Sequence, residues 1–304
     1  MKNKLIITFI YLLSFFYFNL ITAAIGSEVY IVLKIEDEKE IFHEFREFLV
    51  LSFQESFKFL EEHEQLVFYA LTKKFIGHIN TFKFLMDGTN YNDLICNTDH
   101  IDHSSAKIIL RSALECYVTI SYVFWDKPDL TDFRLKLYRY SGLQDRQKRL
   151  KYFSNLSHLH IDKLVDEKKL LDQLKDEILS IGKLNSIPPK HLKSSLENGW
   201  RGSRGWIEIT SESNLKKKYV EKIYSYLSGF THSGYDCLMQ LIADEQLDEV
   251  EKSGNNLVSY HFANYLLGRF IKEYTRYINN RGYKKDFDID SILMILAVYE
   301  DLYK

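Results

Sequence analysis

The sequence predicts an all-α protein, an irregular multi-helix bundle preceded by an N-terminal apolar helix of transmembrane or signal type. Apolar residues recur every three or four positions along most of the chain from Asp37 onward. Only 3 prolines and 13 glycines punctuate 304 residues, too few turn signals for a β-sandwich or barrel of that length. Apolar residues make up 46% and charged ones 27%, a globular balance that excludes wholesale disorder. The net charge of −2 excludes a global field for nucleic acid or anionic lipid. Tyr and Phe each occur 21 times; AT-rich codon usage and a packing role both account for that excess.

Leu5 to Ile25 is a run of 21 residues without a charge, long enough to cross a hydrocarbon core of roughly 30 Å as a helix. Lys2 and Lys4 precede it, while Glu28, Glu36, Asp37 and Glu38 follow. That asymmetry keeps the N-terminus in the cytoplasm and carries the rest across. Thr22-Ala23-Ala24 would serve a signal peptidase, whereas a run longer than the usual ~7–15 residues of a signal core suits an uncleaved anchor. A third alternative is an N-terminal extension that is not normally translated, which would leave the protein cytoplasmic.

From Asp37 to Met86 the stripe Ile41, Phe45, Phe48, Leu49, Phe53, Phe57, Leu60 and its continuation to Leu85 predicts two helices, broken near Glu61–Glu64. Asp87-Gly88 ends the second with a glycine C-cap. Asp102-His-Ser-Ser105 offers N-cap oxygens for an apolar helix from Ala106 to Phe124, which Asp126-Lys-Pro128 stops. A charged helix follows from about Asp129 to Phe153, then another from His158 to Ile181 with the stripe Leu164, Leu170, Leu171, Leu174 and Ile178. Lys183 to Pro189 reads as a linker, and Trp200 to Trp206 as a loop or short turn. Helices resume at Leu215–Ala243, Leu257–Asn279 and Asp288–Leu302. The implied domains are a signal or anchor segment over 1–26, a helical domain over 37–245, and C-terminal helices over 246–304 packing on it.

Cys96, Cys116 and Cys237 cannot all pair and form no Cys-x-x-Cys spacing. Asp99-His-Ile-Asp-His103 matches no tetrahedral zinc spacing and serves better as helix capping, so no metal or other cofactor is expected.

Two groups of residues stand out chemically. Arg111 and Glu115 lie four apart within an otherwise apolar helix, so they share a face and need partners for their charge. Ser228 and His232, also four apart, are candidates to meet them in a buried polar cluster. In a catalytic role His232 would transfer a proton, Arg111 would stabilise developing negative charge and Glu115 would orient one of them. The second group is Arg201 and Arg204 between Trp200 and Trp206, since guanidinium groups bind phosphates bidentately and stack on indole rings. Docking of that loop onto the helices is the alternative role.

The segment Leu110-Arg-Ser-Ala-Leu-Glu115, within Ser104 to Phe124, resembles the "Leu-Arg-Ser-x-x-Glu" helix of a bacterial family of domains of unknown function, number 5677. Trp200-Arg-Gly202, Tyr219 and Tyr226-Leu-Ser-Gly-Phe-Thr-His-Ser233 are similar to its second signature, in matching order, over roughly residues 40 to 245. Through its helical character and Arg/His motifs that family resembles HEPN domains, some of which are metal-independent ribonucleases of toxin and antiphage systems. Those place Arg and His on one helix with four to six residues between, a spacing that no Arg here satisfies.

The expected function is therefore a membrane-tethered helical binding or interaction protein, using the surface near Trp200 to Trp206 for a protein or small ligand. Its membrane contact is residues 5–25, and a homo-oligomer is compatible with the sequence. The alternative is a HEPN-like ribonuclease effector acting on RNA through His232 and Arg111.

Overall fold

The computed structural model describes residues 35–62, 65–90, 99–100, 102–150, 158–246, 249–285 and 287–302. The apolar segment 5–25 and Cys96 lie outside the described residues. Eleven α-helices account for nearly all of what is described, as the apolar spacing requires. They are α1 (Ile35–Glu62), α2 (Leu66–Met86), α3 (His103–Ile120), α4 (Thr131–Leu150), α5 (His158–Leu184), α6 (Pro189–Glu197), α7 (Trp206–Thr210), α8 (Lys217–Thr231), α9 (Tyr235–Gln246), α10 (Glu249–Asn280) and α11 (Asp290–Leu302). The one extended element is an antiparallel pair, β1 (Thr89–Asn90) against β2 (Asp99–His100), which no sequence pattern announced.

The chain divides into two compact units: residues 115–221, and the flanking segments to 114 and from 222. The divisions fall inside α3 and α8.

In the discontinuous unit, α10 packs along α1, with α2 beside α1 and α11 beside α10. Phe42, Phe45 and Leu49 recur at helical spacing on the buried face of α1. The aromatic excess has a packing role here. Phe75 stacks on Phe270 with centroids 4.0 Å apart, and Phe42, Phe82 and Tyr260 meet edge to face. Burial, with Asp87 adding to it, raises the Tyr260 pKa to about 12, so the phenol stays neutral.

Glu38 is fully buried near the start of α1. A carboxylate there requires donors on both oxygens. Oε1 lies 2.6 Å from His261 Nδ1, and Oε2 accepts from Asn264 Nδ2 at 2.6 Å and from the Tyr299 hydroxyl at 2.7 Å. Asn264 Nδ2 also donates to the Glu38 carbonyl, at 2.8 Å. One side chain thus ties α1 to α10 and α11.

Asp102 caps α3 as its position predicted: Oδ1 accepts the Ser105 N–H at 2.9 Å. The run 103–125 is long and apolar enough to cross a membrane, yet 72% of its most apolar stretch is buried within the protein. A protein-covered helix needs that composition as much as a lipid-covered one does. Past Ile120 it widens into a π turn, Ser121–Trp125, before Pro128 opens a 3₁₀ turn.

In the unit 115–221, α4 packs on α5 and α6 around Phe133, Leu137, Leu174, Ile178 and Leu192. The stripe expected on α5 supplies Leu174 and Ile178 to this core, with Leu170 and Leu171 against it.

Between the expected linker and loop lies a helix, α6, because Pro189 at its first position has the helical φ and no N–H to lose. One expectation is corrected. The single helix expected over 215–243 is two, since Ser233 takes φ +51 and the Gly234 N–H donates to the Gly229 carbonyl at 2.9 Å, closing α8.

Replacing Glu38 by Ala should strip the carboxylate from His261, Asn264 and Tyr299 and lower unfolding stability by about 3–5 kcal/mol. Tyr299→Phe, which deletes one donor, should cost about 1–2 kcal/mol. Urea unfolding followed by circular dichroism measures both.

Candidate functional site

The loop 198–205 is held through Glu212, which also faces a buried arginine on another element. Arg134 sits in α4, 4% exposed. Because the Asp126 N–H donates to the Ser121 carbonyl in the π turn, the Tyr122 carbonyl is left to accept from Arg134 Nη1, at 2.6 Å. Asp126 Oδ2 accepts from the same nitrogen at 3.0 Å. The guanidinium lies over the Tyr122 ring, 4.0 Å from its centroid, and Nη2 is 3.7 Å from Glu212 Oε2.

Arg204 approaches the same tyrosine from the loop. Its Nη2 donates to the Tyr122 hydroxyl at 3.2 Å, and its Nη1 to Glu212 Oε1. Burial pulls the Arg204 pKa down, but Tyr122 and Glu212 outweigh it and hold the guanidinium above its ordinary value. Glu212 thereby bridges two arginines, one from α4 and one from the loop.

The loop's own sequence does the rest. Gly199 takes φ +87, and the Gly202 N–H donates to its carbonyl at 2.7 Å. A Cβ at Gly199 would stand 2.9 Å from Ser141 Oγ, so both the turn and the close approach demand glycine. Trp200 packs against Tyr122, Tyr138 and Trp206 at centroid distances of 5.1, 5.9 and 6.1 Å. Burial, with Cys116 adding to it, raises the Tyr138 pKa. The Arg201 guanidinium lies 4.5 Å from the Trp206 ring centroid and donates only to the Arg204 carbonyl, at 3.3 Å.

Beside this loop is a cavity of about 590 Å³, within the range of small-molecule sites. Five cationic side chains line it (Lys127, Arg134, Lys190, Arg201 and Arg204) against two carboxylates, Glu208 and Glu212. Arg134 and Arg204 are paired as described. Lys127, Lys190 and Arg201 have no carboxylate at ion-pair distance among the described residues. Glu208 is held by the Gly205 N–H at 3.1 Å. The hydroxyl-bearing Ser194, Ser195 and Ser203 complete the polar lining. The arrangement suits a small anion: spare positive charge, hydroxyl donors and a guanidinium braced on an indole.

The other sequence candidates lie elsewhere. Arg111 is half-buried and donates from Nη2 to the Tyr224 hydroxyl at 2.9 Å, over whose ring it lies at 4.9 Å. Lys107, buried one turn earlier, lies 4.2 Å from the Phe230 ring centroid. The helices α3 and α8 therefore meet through cations on aromatic rings. Ser228 Oγ donates back to the Tyr224 carbonyl at 2.6 Å, a contact within its own helix. Glu115 is half-buried one turn beyond Arg111. His232 is exposed past the end of α8, two turns or about 12 Å along the axis from Tyr224. The expectation of a buried Arg111/Glu115/His232 cluster is corrected at His232, because α8 ends one residue before it. Cys116 and Cys237 are buried and form no disulfide, and no group of three or more His, Cys, Asp or Glu could hold a metal among the described residues.

The helix pair carrying Arg111 and Tyr224 and the loop carrying Arg201 fall inside residues 89–250, which match the model of a family of unknown function, DUF5677. That span is more than half of the chain. The chain belongs to this family. No curated protein and no solved structure matches it. The DUF5677 span contains all five cationic residues of the cavity, and it excludes Glu38 and the helices α10 and α11 except the first residues of α10.

Sequence reasoning missed Arg134, Glu212, Lys127 and Lys190. Arg134 left a signal: Leu130, Leu137 and Tyr138 stand four before, three after and four after it, so a charge falls on an apolar helix face. Glu212 left none, since Ser211-Glu-Ser213 is an ordinary turn sequence.

Gly199→Ala should destabilise the unit by about 1–2 kcal/mol, from positive φ and the clash with Ser141. Gly142→Ala, inside α4 with nothing within 4 Å of the added methyl, should instead stabilise by about 0.5–1 kcal/mol. Chemical denaturation of the two variants distinguishes the signs.

Proposed function

We propose that the chain is a non-enzymatic helical binding module whose ligand is a small polyanion held in the cavity beside Trp200–Trp206. The observation that carries this reading is the set of three cations, Lys127, Lys190 and Arg201, lining one cavity without carboxylate partners among the described residues. Some lysines elsewhere in the chain do find such partners: Lys136 with Asp132 and Glu177, Lys285 with Glu55, Lys217 with Glu221. Like charges gathered without counter-charges cost free energy in the empty protein, and a bound anion recovers it.

The membrane tether of this reading rests on sequence alone. The charge-free run Leu5–Ile25, with Lys2 and Lys4 before it and acidic residues after it, anchors the chain and places the helical units across the bilayer from its N-terminus.

Calorimetric titration of the full chain, held in phosphatidylcholine nanodiscs, with inorganic pyrophosphate is the test. Saturable binding is expected, weakening about tenfold on Arg201→Ala and about tenfold on Lys190→Ala, the loss of one charged hydrogen bond in each case. Lys190→Ala should keep the parent's melting temperature, because that side chain carries no ion pair among the described residues. Absence of saturable binding, or binding indifferent to both substitutions, would remove the cavity from the account.

A further inference from the structure

A second cavity of about 560 Å³ adjoins the first, and Ile187 and Leu192 line both. Its character is different. Leu179, Ile187, Pro189, Leu192 and Leu196 give it an apolar floor, contributed by α5, α6 and the turn between them. Of its three lysines, Lys193 pairs with Glu197, which also lines the cavity, at 3.9 Å, while Lys175 and Lys183 have no carboxylate at ion-pair distance among the described residues. The two spaces thus share two lining side chains, one space cationic and hydroxyl-lined, the other apolar with a mostly basic rim.

We infer that the ligand is an anionic amphiphile, an alkyl phosphate in chemical class. Its phosphate sits against Lys127, Lys190 and Arg201, and its hydrocarbon chain passes Ile187 and Leu192 onto the floor of the second cavity. This rests on the anion reading of the first cavity and adds the rest of the molecule. Complementarity argues for it on both counts. An apolar floor gains from hydrocarbon in proportion to the area covered, and no sugar or second phosphate would recover that gain. The basic rim disfavours a cationic or zwitterionic tail and tolerates a neutral one.

The test is a chain-length series on the full-length protein in phosphatidylcholine nanodiscs, with empty nanodiscs subtracted. Methyl, butyl and hexyl phosphate are titrated, with pyrophosphate as the head-group reference and hexanol as the tail-only reference. Each buried methylene is worth a factor of about three to four, so hexyl phosphate, with five more of them, should bind roughly several hundred-fold tighter than methyl phosphate. Leu179→Ser and Leu196→Ser, both half-buried, should each shrink that ratio several-fold while leaving pyrophosphate affinity unchanged. Arg201→Ala should weaken the whole series in parallel.

Pyrophosphate that binds while the phosphate series stays flat would overturn the amphiphile and leave the anion site standing. A chain-length gain untouched by both leucine substitutions would also overturn it, since the tail would then lie elsewhere. Failure of pyrophosphate and of every phosphate to bind would remove the anion site and the amphiphile with it.

Discussion

Glu212 is the residue on which the geometry of the candidate site depends. It faces Arg134 from α4 and Arg204 from the loop, with the Tyr122 ring against both guanidinium groups. Arg134 is almost fully buried and cannot remain there without acceptors. Asp126 and the Tyr122 carbonyl supply part of the need, the latter because the π turn withdraws its usual N–H. Glu212 supplies the rest, and in doing so it fixes the stretch from 200 to 212 against α4. The position of Arg201, and hence the shape of the cavity, follows from an ion-pair arrangement that does not itself bind anything.

That division of labour separates two kinds of cation on one cavity wall. Arg134 and Arg204 are internal struts: hydrogen-bonded, stacked and paired. Lys127, Lys190 and Arg201 carry charge that the protein leaves uncompensated among its described residues. Arg201 is held out by the Trp206 ring, which braces the guanidinium without neutralising it. A rigid cation presented this way loses little side-chain freedom on meeting an anion. The other buried network differs in having both carboxylate oxygens of Glu38 matched within the protein. It locks α1 to α10 and α11, and lies outside the DUF5677 span.

Much of this was legible in the sequence. The helices follow from apolar spacing, the start of α3 from the Asp102 cap, and the end of α2 from Gly88, which takes φ +93. The two family-like motifs pointed to helices that do meet, though through Arg111 on Tyr224 instead of Arg111 with His232. Helical spacing places residues on a face, but it does not reveal that α8 stops at Thr231. That stop depends on Ser233 adopting a left-handed conformation usually left to glycine. The Arg201/Arg204 loop was identifiable from composition, whereas its bracing was not. Arg134, Glu212 and Lys127 lie 67, 8 and 74 residues from Arg201 or Arg204, the first and third from Arg201 and the second from Arg204. Only the folded chain brings them together.

The central claim is that the cavity beside Trp206 holds an anion on Lys127, Lys190 and Arg201. The most direct measurement is a crystal structure of the full chain soaked with tungstate, a heavy phosphate analogue located by its anomalous signal. The account predicts a peak within hydrogen-bond reach, about 3 Å, of Arg201 and at least one of the two lysines, with Arg134 and Arg204 still on Glu212. Tungstate bound only at other sites, or an Arg201 guanidinium turned away onto a carboxylate, would contradict it.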